Sequence, residues 1–403
     1  MRTMGLAWAF LRRRWGQALL SVIVGALGVA AVETVAIAER ELPKAAERAF
    51  GGVDLVVGPK GSALDLVLCC VLHVSDPRGL VPLKEGMDVL RNPMVAAAAP
   101  IALGDSVHGR RIVGTTPDIL TIYRAHMAQG AIWTAPLQAV AGSDAARTLG
   151  LKPGATFVGN HGLGPGGEEH AKFPYTVTGI LAPTGSALDR LILTDIQSVY
   201  IIHRDPDDAE EAKAGQGGPT GFGPPAATAI LASFRSPVAM AFLPRLVDAT
   251  ERFSAASPAM ETARLARAGR PVILAVTAVG VLFAAIAAAT AATALAAAMS
   301  GRARDLALLR ALGAHPWEIA AIAAAEAAML AAGALATGVA AVAGLAPWGA
   351  SLLAERDGLL VTVAPTGQDL AMLAAGALAA ALAAAAVPAL RAARAPIETV
   401  LKA

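Results

Sequence analysis

PVILAVTAVGVLFAAIAAATAATALAAAM, residues 271–299, contains no charged side chain. A helix needs about 20 apolar residues to cross a hydrocarbon core about 30 Å thick, so this stretch is long enough to span a bilayer. Three others meet the same criterion. Trp15 to Val32 is uncharged and Glu33 follows it; Ile319 to Ala346 contains one charge, Glu326; Leu370 to Leu390 contains none. The last is rich in alanine, and its soluble alternative is a buried core helix. The pattern predicts a membrane α-helical protein with four transmembrane helices. Composition agrees, since 16% of the 403 residues are charged against roughly 25% in soluble proteins. A net charge of +2 and the lack of any basic stretch with interleaved aromatics exclude nucleic acid as a partner. Only two cysteines occur, Cys69 and Cys70, side by side. That excludes a disulfide framework.

The first apolar run has a rival reading as a secretory signal, because Arg12, Arg13 and Arg14 precede it and Ala36-Ile37-Ala38 resembles a cleavage site. Its length exceeds the 7–15 residues of a signal core, so a retained helix is expected. Orientation follows from Lys and Arg near the helix ends. Arg12 to Arg14 precede helix one, Arg302, Arg304 and Arg310 lie between helices two and three, and Arg391, Arg394 and Lys402 follow helix four. Both termini and the 300–317 loop are therefore expected in the cytoplasm of a bacterial inner membrane.

Residues 38–270 then form a large extracytoplasmic (periplasmic) domain between helices one and two, long enough for its own core. The resulting division is 1–37 for the N-terminus and first helix, 38–270 for the domain, and 271–403 for the three-helix portion. The domain reads as α+β. Val53 to Val57, Arg111 to Val113, Tyr175 to Thr178 and Thr228 to Phe234 have strand composition. Asp144 to Leu149 reads as a short helix stopped by Gly150. Ala38 to Phe50 and Ser257 to Arg270 read as stalks or as plain linkers, and Asp205 to Pro225 as a surface loop.

The 300–317 loop contains Arg302-Ala303-Arg304-Asp305-Leu306-Ala307-Leu308-Leu309-Arg310-Ala311-Leu312-Gly313-Ala314. Leu308 and Leu312, four apart with Leu309 beside them, share one helical face. Gly313 suits a helix end. An amphipathic helix tethered there needs an apolar partner, either lipid or protein. The stretch resembles the signature of the MacB/LolC/FtsX-type permease family. So do Glu326 in helix three, the ending Pro388 to Arg394, and the domain segments Val113 to Pro117, Gly142 to Ala146 and Val177 to Leu181.

The resemblance implies a permease subunit of an ATP-binding cassette transporter, working as a homodimer or with a related permease. It makes Arg304, Asp305, Leu308, Leu309, Arg310, Leu312 and Gly313 the elements that couple to an ATPase subunit. ATP and magnesium would be held by that partner, because this chain has no phosphate-binding loop of the Gly-x-x-x-x-Gly-Lys-Ser/Thr kind and is not expected to be an enzyme. Work would be done on a substrate at or beyond the inner membrane, with a periplasmic or lipoprotein partner among those the resemblance implies. Two other classes stay open: a regulator of periplasmic cell-wall hydrolases, and a metal-binding membrane receptor.

Among single residues, Glu326 is an intramembrane ionisable group and a functional candidate by default, with a structural hydrogen bond as the favoured role. Gly333, Gly338 and Gly344 would let helices approach closely. His161, Glu168 and His170 lie in one glycine-rich loop, and imidazole with carboxylate suits zinc. The chain resembles a branch of the family with histidines in this loop. Surface histidines without a metal are the favoured reading there, zinc the alternative. Cys69, Cys70 and His73 read as buried groups, and Ser62, Asp65 and His73 as no catalytic triad.

Overall fold

A computed structural model of the chain describes residues 2–162, 169–203, 225–301, 308, 313, 315–357 and 361–394. The chain divides into two compact units. One comprises Met1–Glu41, Ala268–Ser351 and Thr362–Ala403; the other comprises Leu42–Arg267 and Leu352–Val361.

Helix α1 (Arg2–Arg13) and helix α2 (Trp15–Phe50) open the chain. The apolar run expected to end at Val32 and the expected stalk beyond it are one helix. Glu33 to Phe50 is rich in Ala, Glu and Arg, all good helix formers, and the helix continues through Pro43, the residue in it that works against helix.

The second unit is built on an 11-stranded mixed sheet. Its main path runs β13 (Phe253–Ala256), β1 (Leu55–Pro59), β12 (Ala229–Phe234), β3 (Val95–Val107), β4 (Arg110–Thr115), β10 (Ile192–Asp195), β6 (Gln138–Ala141), β9 (Tyr175–Leu181) and β5 (Met127–Gly130). Short strands β7 (Thr156–Phe157) and β8 (Asn160–His161) join β9 and β3. The pairs β4–β10 and β6–β9 are parallel and the others antiparallel. A separate two-stranded ladder pairs β2 (Val81–Pro82) with β11 (Ala226–Ala227).

Successive residues of a strand point to opposite faces, and here both faces are covered. On one face Val56, Leu103, Val113, Leu193 and Leu231 pack with Leu66 and Cys70 of α3 (Ala63–Cys70) and Ile119 and Ile122 of α5 (Asp118–Tyr123). Their neighbours turn the other way. Leu55, Val57 and Ile230 join Val247 of α8 (Ala239–Asp248), while Ile112 and Ile192 join Ala145 of α6 (Ser143–Leu149) and Ile202 of α7 (Ile196–Ile202). Sheets covered on both faces give continuous apolar runs rather than alternation, which is why Leu55-Val56-Val57 and Ile192-Leu193 read as they do. Helix α6 ends at Gly150, whose φ of 66° is left-handed, as expected. Of the expected loop 205–225, only Pro225 lies within the described residues.

Three long helices complete the chain: α9 (Pro258–Gly301), α10 (Pro316–Asp357) and α11 (Gly367–Arg394). With α2 they are four helices long and apolar enough to cross a membrane. Helix α11 starts with a reciprocal cap, in which the Thr366 hydroxyl accepts from the Asp369 amide at 3.2 Å and the Asp369 carboxylate from the Thr366 amide at 3.0 Å. The same carboxylate is salt-bridged to Arg40 of α2. Near the other end of these helices, Leu295 and Met299 of α9 pack with Ile319 and Ala323 of α10 and Ala385 of α11. Large apolar side chains such as Leu274, Leu282 and Leu382 stay exposed on this unit, as lipid-facing positions require.

Candidate metal centre

Strand β3 contains one carboxylate in an apolar run, Asp105 in Ile101-Ala102-Leu103-Gly104-Asp105-Ser106-Val107. Its side chain is only 2% exposed. The ladder between β3 and β4 is regular up to Leu103↔Val113, then shifts register before Ser106↔Arg111. Three residues of β3 therefore advance against two of β4, the mark of a bulge, and bulges re-aim side chains next to functional sites. Beyond the shift β3 gains a new neighbour, β8, with Asp105 opposite His161 and Ser106 opposite Asn160. The Gly162 amide donates to the Gly104 carbonyl at 2.7 Å, and the His170 amide to the Gly159 carbonyl at 3.0 Å. These bonds bring both histidines of the predicted loop back over β3. A third arrives from elsewhere, as His203 occupies the C-cap of α7, which packs on β3 and β4.

Three imidazoles thus converge on one carboxylate oxygen. Asp105 Oδ1 lies 3.4 Å from His170 Nε2, 3.4 Å from His203 Nε2 and 3.7 Å from His161 Nδ1. The three rings stand nearly perpendicular to one another, with interplanar angles of 80°, 78° and 87° and centroids 5.5–6.0 Å apart. Neither carboxylate oxygen of Asp105 and neither ring nitrogen of His203 makes a hydrogen bond. Burial would raise the Asp105 carboxyl, but the facing imidazoles of His170 and His203 outweigh it and hold it well below the usual carboxylate range. The floor is aromatic, with Phe157 stacked on Tyr175 at 5.2 Å. Burial first, and then the Asp105 charge, pushes the Tyr175 hydroxyl up. Four groups of this kind, with ligand atoms all within 4.8 Å of one another, can hold a transition-metal ion.

The predicted site residues fall as follows. His161 and His170 are brought together, while Glu168 lies outside the described residues. His203 and Asp105 complete the set without having stood out in sequence; the signal for the latter was an acid stranded in an apolar strand. Cys69 and Cys70 are free and buried in the core. Their mutual contact and burial push the Cys70 thiol up. Ser62 caps α3 through Asp65 N at 3.3 Å, and Asp65 pairs with Arg78 at 3.1 Å, so both are committed to structure. Of the coupling residues, Arg304, Asp305, Leu309, Arg310 and Leu312 lie outside the described residues; Leu308 is exposed, and Gly313 has a φ of 99°. Glu326 is buried and lines a small cavity with Arg14, Gln17 and Ser21.

The family of MacB-like periplasmic core domains matches residues 18–241, and that of FtsX-like permease C-terminal domains matches residues 277–397. The first alone covers more than half of the chain. The chain belongs to the MacB/FtsX-type permease family of ABC transporters. No curated protein matches it. Among solved structures, the periplasmic region of MacB from Actinobacillus actinomycetemcomitans is 13% identical, with a TM-score of 0.35, over 54% of this chain and 94% of that one. The extracellular domain of the noncanonical ABC-type transporter YknZ from Gram-positive bacteria is 9% identical, with a TM-score of 0.29, over 50% of this chain and 98% of that one.

Proposed function

We propose that this chain couples ATP hydrolysis in a separate ATP-binding cassette subunit to movement of its inserted domain, which lies outside the inner membrane, for export or extraction of a substrate there. The observation that carries this reading is the joining of a MacB-like core domain to an FtsX-like membrane portion in one chain. Two structural features support it. Helix α2 runs on past its apolar stretch to Phe50, and α9 begins at Pro258, well before its own; continuous helices carry motion better than loops. Leu308 presents an apolar side chain to solvent in a stretch whose leucines share one face, so it has surface to offer an ATPase groove. Two copies of the chain, or one with a related permease, would sit on two ATPase subunits, with both termini in the cytoplasm. Arg304, Asp305, Leu309, Arg310, Leu312 and Gly313 would complete the contact. Glu326 would brace helix three from within.

The test is a detergent pull-down of the tagged chain from its native host, with mass spectrometry and an ATPase assay. A stoichiometric cassette ATPase with activity is expected, and Leu308→Asp should remove it while the permease still purifies folded. A chain that comes down with a cell-wall hydrolase, or alone, overturns the reading. The competing reading is a metal-binding receptor whose helices serve only as an anchor, for which the three histidines and Asp105 would be the candidate ligands, and recovery of the chain alone would favour it.

A further inference from the structure

We infer that Asp105, His161, His170 and His203 form a closed zinc site that fastens three separate parts of the inserted domain to one another. The argument begins with distance. Charge-assisted hydrogen bonds between nitrogen and carboxylate oxygen run about 2.7–2.9 Å. The contacts around Asp105 Oδ1 are 3.4, 3.4 and 3.7 Å, too long for such bonds. They fit another figure. Ligands about 2.0–2.1 Å from a tetrahedral zinc ion stand about 3.3–3.4 Å from one another. Two of the three distances match that spacing, the third is slightly longer, and all four donors lie within 4.8 Å of one another, close enough to share one ion.

Chemistry narrows the ion. The set has no thiolate or thioether, so it does not select a soft ion such as copper(I). It is not the all-oxygen shell that calcium or magnesium takes. Three neutral imidazoles and one carboxylate are donors that suit zinc, which takes four such ligands in its structural sites. Burial supplies the second observation. Asp105 and His203, with side chains 2% and 5% exposed, both have polar atoms without hydrogen bonds. Leaving a buried carboxylate in that condition is costly, and an ion at the centre satisfies it.

Topology gives the site its role. Asp105 comes from β3, His161 and His170 from the segment folded over it, and His203 from the end of α7. Four protein donors leave zinc no open position, which is the mark of a structural rather than a hydrolytic site. The ion therefore ties sheet, loop and helix together. Exposure also ranks the ligands. His170 is 9% exposed and His161 31%, so His161 forms the outer wall, through which the ion enters and leaves.

The experiment uses the full chain in detergent, stripped with a chelator and titrated with cobalt(II), then with zinc. One equivalent of cobalt per chain should give the intense visible absorption of a tetrahedral site, and one equivalent of zinc should abolish it. Zinc loading should raise the melting temperature of the domain. His203→Ala and Asp105→Asn should each weaken zinc binding on the order of 100-fold or more, since loss of mere outer-sphere partners already costs roughly 10–100-fold. His161→Ala should keep the one-to-one stoichiometry but release zinc to a chelator faster. Exposed His126, outside the cluster, serves as control, and His126→Ala should bind as the parent does. Octahedral cobalt spectra, no saturable binding by the parent chain, or equal affinity in the parent and Asp105→Asn would overturn the inference. Because parent stoichiometry and the His161→Ala release rate are read independently, misfolding of His203→Ala would not decide the matter.

Discussion

In the inserted domain, Leu55, Ile101, Leu193 and Leu231 are sealed between a sheet and its helices. In the membrane unit, Leu274, Val281 and Leu282 point outward, and α2 meets α10 at Gly338, whose added Cβ would lie 2.8 Å from both the Ala26 carbonyl and Val29. The bulky residues have changed sides. In water, burying a large apolar side chain contributes about 1.5–3 kcal/mol, so the domain hides them. In a bilayer the lipid is as apolar as leucine, and helices associate through close van der Waals packing of small residues instead. The same twenty amino acids thus obey two solvents within one chain.

The sharpest way to break this comparison is to truncate one leucine of each kind. Leu193→Ala, in the middle of β10 and fully buried, should cost about 2–5 kcal/mol. Leu282→Ala, exposed on α9, should cost well under about 1 kcal/mol in detergent. Hydrogen exchange by mass spectrometry reads both in the full chain, through the opening free energies of β10 with its neighbours β4 and β6 and of α9. Equal losses would mean that the outward leucines of the membrane unit are themselves in a buried interface.

Burial that makes the domain sensitive to a lost methylene also makes it sensitive to acid. His73 is half-buried with its Nδ1 enclosed, and desolvation, with Arg111 and Arg190 adding to it, pushes its imidazole down to about 3 from 6.5. The unfolded chain takes up a proton near 6.5, while the folded chain does so only near 3. Stability is therefore fully present above 6.5 and falls as pH drops through that window. Between pH 7 and pH 5 this one group should remove about 2 kcal/mol. His73→Asn tolerates the backbone φ of 57°, since Asn enters the left-handed region readily, and it carries no titrating group. Its denaturation midpoint should fall less than the parent's over that range. Parallel pH profiles in parent and variant would refute the assignment.

How much of this was legible in sequence follows the same division. The four membrane helices could be read directly, because a span is a local property of about 20 consecutive residues. The strands at Leu55, Arg110, Tyr175 and Ala229 were found within a few residues for the same reason. Strand β3 escaped, as Val95-Ala96-Ala97-Ala98-Ala99-Pro100 is poor in the β-branched and aromatic residues that mark strands. Its sheet partners on both sides hold it in place. With β3 went Asp105, one of the four residues of the candidate metal centre. His161 and His170 share a loop and could be paired by eye. His203 and Asp105 reach them only through a bulge and the end of a helix packed across the sheet, contacts that no local window contains.

The smallest effects test the membrane half of the comparison. Gly333 and Gly338 both approach α2, the former with an added Cβ 3.2 Å from Val22, whereas nothing lies within 4 Å of a Cβ at Gly344. The three look alike in sequence, so only position can separate them. At Gly338 the nearest atoms include backbone, which cannot turn aside as a side chain does. Gly338→Ala should therefore destabilise the α2–α10 contact by about 1–3 kcal/mol. Gly344→Ala meets no neighbour and removes the entropy cost of a helical glycine, so it should stabilise by about 0.5–1 kcal/mol. Thermal unfolding of the two variants in the same detergent should move in opposite directions from the parent. If Gly344→Ala is destabilising as well, its open face is covered by another chain, such as the second copy of a dimer. If Gly338→Ala is neutral, α2 and α10 are not held by close backbone approach, and the small residues of this unit lose the role the comparison gives them.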